Sequence, residues 1–194
     1  SKLNDLDKQI LTILPSLVHL NRPGIPGYVD EPEKVPDGVL EVKPEDDIPR
    51  QVERLLPAAK IAQDDFKNRT SSCPIYSLSA MGSLATIAQT SKSDFDIWVC
   101  VNKPEFTSDN LKGLAFKLEE IEKWTETKHF ESHFFITDIQ EARNNKFGES
   151  DEESAGSALV KLLKEEFFRT HTVLAGVAPL WTVMPPHITD EEYV

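Results

Sequence analysis

The chain has 194 residues with 21 basic against 33 acidic side chains, a formal net charge of −12. That length suits one domain with a sizeable core, and the acidic balance excludes an extended nucleic-acid surface, leaving any phosphate contact to a local cluster. The cysteines, Cys73 and Cys100, match neither a disulfide framework nor a zinc spacing, and no apolar run reaches the ~18 residues of a membrane span.

Ser1-Lys2-Leu3-Asn4-Asp5 has no signal-peptide character, so a cytoplasmic protein is expected. Leu6, Ile10, Ile13, Leu14 and Leu17 recur at helical spacing and predict an amphipathic opening helix that Pro15 kinks. Between 21 and 49 stand Pro23, Pro26, Pro32, Pro36, Pro44 and Pro49, which predict irregular wrapping. A second helix is expected over 52–66, interrupted near Pro57. Next come a strand over 75–79, a Gly82-Ser83 turn entering a short helix over 84–88, and a strand over 95–101. A helix over 108–127 follows, with Ser108 as N-cap and Leu111, Leu114, Ala115, Leu118 and Ile121 as its buried stripe. The remaining elements are a strand over 130–137, a polar loop over 146–157, a helix over 157–175 ended by Gly176, and a short strand over 180–183. These elements make an α+β chain, a mixed sheet flanked by helices. Residues 1–70 form a helical, proline-rich segment packed on a core built from 71–194.

The chemistry concentrates at Gly82-Ser83 and Ser93-Asp94-Phe95-Asp96-Ile97-Trp98-Val99. Phe95, Ile97 and Val99 alternate with Asp94, Asp96 and Trp98, so a strand here puts both carboxylates on one face. Two carboxylates ~4 Å apart repel by about 4 kcal/mol at an effective dielectric of ~20. A divalent cation with oxygen ligands is the usual relief. The Gly-Ser turn before a helix offers backbone N–H groups, a hydroxyl and a helix N-terminus, all suited to phosphate. Alternating acids also occur on solvated strand edges, but this pair sits in the apolar run Phe95-x-Ile97-Trp98-Val99-Cys100-Val101, where an unpaired carboxylate is costly. The pattern points to metal-assisted chemistry on a nucleoside triphosphate.

Met81-Gly82-Ser83 through Ser93-Asp94-Phe95-Asp96 resembles the Gly-Ser…Asp-x-Asp signature of the nucleotidyltransferase superfamily that includes DNA polymerase beta. Within it, the chain resembles the catalytic region of the bacterial class I adenylate cyclases. The likeness extends through Leu14-Pro15-Ser16-Leu17-Val18-His19, Pro26-Gly27-Tyr28-Val29, Phe134-Phe135-Ile136-Thr137-Asp138, Glu166-Phe167-Phe168-Arg169-Thr170, Leu174-Ala175-Gly176 and Leu180-Trp181…Met184-Pro185. It implies a nucleotidyltransferase-like fold and cyclisation of ATP to 3′,5′-cyclic AMP with release of pyrophosphate. In that scheme Asp94, Asp96 and a third acid hold two magnesium ions, with manganese as a substitute. One ion activates the ribose 3′-hydroxyl and the other stabilises the departing pyrophosphate. The third acid is expected on a neighbouring strand, where both Glu131 and Asp138 fit. Seven apart, they face opposite ways on a regular strand; Glu131 is favoured by position, and Asp138 is read as the cap of the following helical turn.

Gly82 and Ser83 are expected to grip the β- and γ-phosphates, with Ser93 and Lys92 in the turn beside them. Trp98 shares the carboxylate face and either stacks on the base or ribose or fills core. Of Lys161, Lys164 and Arg169, Arg169 has the side chain best shaped for bidentate phosphate contact. His129 and His133, four apart in a predicted strand, make a poor zinc site. Leu84-Ala85-Thr86-Ile87-Ala88 departs from the small hydroxyl residues and glycine that the family tends to carry there. The family's catalytic region also continues past the point matching Tyr193-Val194, so a regulatory C-terminal region or a partner protein is expected, and the activity of this chain alone stays open. Two other readings remain: nucleotidyl transfer to an external hydroxyl, and a non-catalytic nucleotide-sensing domain.

Overall fold

The computed structural model describes residues 3–31, 34–35, 38–40, 42, 45–67, 75–81, 95–143 and 171–177. Helix α1 spans Asp5–His19. Asn4 caps it: its side chain accepts from the Asp7 N–H while the Asp7 carboxylate accepts from the Asn4 N–H, a reciprocal capping box. Pro15 lies inside α1, and Ile10, Ile13, Leu14, Leu17 and Val18 are buried along it. Helix α2 spans Ile48–Leu55 with Pro49 in its first turn, where a missing N–H costs nothing. It therefore starts before 52 and stops ahead of Pro57; of the expected continuation, a 3-10 helix forms at Gln63–Lys67.

Strand β1 runs Ile75–Met81, two residues beyond expectation, and β2 runs Phe95–Val101 as expected. Helix α3 covers Ser108–Glu126, but Thr107 rather than Ser108 caps it, in a capping box with Asn110. Ala115 faces solvent, and the buried stripe takes in Lys117 instead. Strand β3 spans Ser132–Asp138 and leads directly into the short helix α4, Ile139–Arg143.

Strand β4, Thr172–Gly176, corrects the sequence reading, which carried a helix through Ala175. The β-branched pair Thr172-Val173 suits a strand, and β1 has a free edge whose backbone groups need partners. β4 supplies them, antiparallel to β1. Gly176 does not end a helix; it closes β4 at φ +91°, where an added Cβ would collide with the Tyr76 carbonyl. The rest of the predicted helix, the short helix over 84–88, the loop over 146–157 and the strand over 180–183 lie outside the described residues.

The sheet order is β3-β2-β1-β4. β1 pairs antiparallel with β2 and β4, while β3 runs parallel to β2 after the α3 crossover, so the sheet is mixed and the fold is α+β. One face packs under helices. Ile75, Leu78, Ile97, Val99 and Val101 share a core with Leu14 and Leu17 of α1, Val52 of α2 and Leu114, Leu118 and Ile121 of α3. Phe95 stacks on Phe130 at 4.5 Å in the same layer. The opposite face carries Met81, Trp98 and Cys100, with Ile139 beside them.

Two buried polar groups fasten the N-terminal segment to this core. The Lys117 ammonium donates to the Leu20 carbonyl at 2.7 Å. The His19 ring accepts from the Val39 N–H through Nδ1 at 3.1 Å and donates from Nε2 to the Phe66 carbonyl at 3.3 Å. This is the neutral Nε2–H tautomer, since Nδ1 acts as acceptor. Val39 in turn bridges to Ile75 at the start of β1.

Candidate active site

The register fixes which side chains share the second face of the sheet. Phe95, Ile97 and Val99 point into the helical layer, so Asp96, Trp98 and Cys100 point the other way. Across β1, Met81 pairs with Asp96, Ser79 with Trp98 and Ser77 with Cys100. Across β3, His133 pairs with Asp96, Phe135 with Trp98 and Thr137 with Cys100. Phe134 and Ile136 pack against the main core, which confirms the alternation.

Asp96 is exposed at the end of the sheet where β1 finishes and β2 and β3 begin. Glu131 is exposed next to it in the sheet. Its carbonyl accepts from the Phe95 N–H at 3.0 Å, continuing the ladder one step before β3, and its parity with His133 assigns it to the Asp96 face. Glu131 Oε1 stands 3.8 Å from His133 Nε2.

Asp138 sits on the opposite face and is consumed locally. Its carboxylate accepts from the Gln140 N–H at 2.9 Å, the Glu141 N–H at 2.8 Å and the Lys103 N–H at 2.7 Å. It caps α4 and ties down the 3-10 turn Lys103–Glu105, with 4% of its surface exposed. The odd separation from Glu131 has the consequence expected of a strand.

Trp98 is 7% exposed, packed among Met81, Cys100 and Ile139. On β1 beside it the Ser79 hydroxyl is buried without a hydrogen-bond partner. Burial pushes the Cys100 thiol up to about 11, against a small lowering from the Ser77 hydroxyl beside it. Phe135 is half exposed on the same face. Gly82, Ser83, Lys92, Ser93, Asp94 and Arg169 lie outside the described residues. Among the described residues no three His, Cys, Asp or Glu side chains gather as a metal cluster; Asp96 and Glu131 contribute hard oxygen donors to one face, the donor type that magnesium takes.

His133 and Phe135 also lie on this face, a placement the sequence reading lacks. Their parity with Glu131 was the signal, and it becomes decisive only once the β2–β3 register is known.

The chain matches the model of the adenylate cyclase N-terminal domain over residues 1–182. It is 33% identical to the adenylate cyclase of Proteus mirabilis over 193 residues, 100% of this chain and 22% of that protein. It is also 33% identical to the adenylate cyclase of Escherichia coli K12 over 95% of this chain and 21% of that protein. The same identity holds to the adenylate cyclase of Yersinia intermedia over 92% of this chain and 20% of that protein. The chain thus spans about a fifth of the length of these relatives. No solved structure matches it. With the family model covering most of its length, the chain belongs to the family of adenylate cyclase N-terminal domains.

Proposed function

We propose that the chain carries the nucleotidyl-transfer site of an adenylate cyclase, converting ATP to 3′,5′-cyclic AMP and pyrophosphate. The observation that carries the reading is the shared face of Asp96 and Glu131 at the β2–β3 end, with Asp138 excluded by its three backbone donors. Asp94, two positions before Asp96 in the sequence, would complete the carboxylate set if the strand alternation continues through it. Asp94, Asp96 and Glu131 would hold magnesium. Bound there, it would supply charge that favours ionisation of the ribose 3′-hydroxyl and offsets the charge developing on pyrophosphate.

The chain's own residues orient the reactants. Gly82 and Ser83 present backbone N–H groups and a hydroxyl to the β- and γ-phosphates. Ser93, Lys92 and Arg169 would contact the triphosphate, while Trp98, 7% exposed, fills core behind this face. The carboxylates hold the 3′-hydroxyl side of the nucleotide near the α-phosphate, so nucleophile and leaving group meet within one molecule.

Incubating the chain with ATP and magnesium and resolving the products by mass tests the reaction. Cyclic AMP and pyrophosphate are expected in equal amounts, at a low rate for a chain spanning a fifth of its relatives. Nucleotidyl transfer to an added alcohol with no cyclic product would replace the cyclase reading with an external-acceptor transferase.

A further inference from the structure

We infer that Phe135 is the stacking platform for the nucleobase, an inference that rests on the site proposed above. Phe135 is 48% exposed, while its neighbours Phe134 and Ile136 pack into the core and its register partner Trp98 is 7% exposed. An aromatic ring left half in water in the middle of a strand has apolar surface still to cover.

Its position matches what a nucleotide needs. Phe135 stands two residues along β3 from His133, the partner of Asp96. At ~3.3 Å per residue and ~4.8 Å between strands, its Cα lies about 8 Å from that of Asp96. A triphosphate anchored at the carboxylate end therefore extends its ribose and base along the sheet face toward the ring. Trp98, packed among Met81, Cys100 and Ile139, has its surface covered and backs the platform rather than forming it. Every base offers a π-face, so the ring contributes affinity for a base and leaves base choice to polar groups elsewhere.

The test measures binding of ATP and of inorganic tripolyphosphate, each with magnesium, to the wild-type chain and to Phe135→Ala and Phe135→Tyr. Phe135→Ala is expected to weaken ATP roughly tenfold or more and to leave tripolyphosphate binding unchanged. Phe135→Tyr, which keeps the ring, is expected to hold ATP as the wild type does. Equal ATP affinity in the wild type and Phe135→Ala would overturn the inference while the carboxylate site stands. Equal losses for ATP and tripolyphosphate would also overturn it, by making the ring a structural support. Self-association abolished by Phe135→Ala with ATP affinity intact would overturn it in favour of an interface. A wild-type chain that binds neither ligand would remove the proposed site itself, and the platform with it.

Discussion

At the scale of single residues, two acids seven positions apart have opposite fates. Glu131 stays exposed on the Asp96 face, whereas Asp138 gives its oxygens to three backbone N–H groups. Glu131→Gln is accordingly expected to remove most magnesium-dependent turnover of ATP with little change in melting temperature. Asp138→Asn should do the reverse, lowering stability by about 1–2 kcal/mol through the lost cap and charge-assisted bonds while activity persists. Parallel activity assays and thermal melts check both, and a crippling Asp138→Asn would place the third acid on the wrong strand face. In the sequence, strand parity says only that the two acids face opposite ways; the β2–β3 register is what puts Glu131 on the Asp96 side. Lys117 was not legible: an ionisable residue enters a buried stripe only when a partner waits, and the Leu20 carbonyl that accepts from it is 97 positions away.

Elements were legible where local pattern and tertiary demand agreed. β2 is an alternating run bounded by polar sequence, so its limits follow from sequence; β4 is decided by the free edge of β1, which no local pattern reveals. At the α3 cap, Thr107 and Ser108 are both capping residues and only Thr107 meets Asn110 in the reciprocal geometry. Thr107→Ala should therefore destabilise the protein by about 1 kcal/mol in chemical denaturation, and Ser108→Ala by much less. Within β2, the buried Cys100 thiol keeps its proton to about pH 11 in the folded protein against an ordinary value of 9.0. A raised folded pKa means that the native state binds the proton more tightly. Its stabilisation is complete below pH 9 and fades as pH rises toward 11, by about 3 kcal/mol at most. Denaturation at pH 8 and pH 11 should show a steeper loss for the wild type than for Cys100→Ala; identical slopes would contradict this account of the thiol.

For the whole molecule, the mixed sheet has one face closed by α1, α2 and α3 and the other bearing Asp96, Trp98 and Phe135. The N-terminal segment and the sheet contribute to one hydrophobic core, so changes that loosen α1 should reach β1. Asp94 and Asp96 are expected to hold a metal-bound triphosphate rather than to hold the fold. Calorimetric titration of ATP, with and without magnesium, into the wild type, Asp94→Asn and Asp96→Asn tests this most directly. The wild type is expected to bind ATP tightly only with magnesium. Each variant should lose that dependence while its metal-free melting temperature holds or rises, as expected if strand alternation sets the two carboxylates close enough to repel. Variants that bind ATP and magnesium as the wild type does, or that unfold, would contradict the account and make these carboxylates structural.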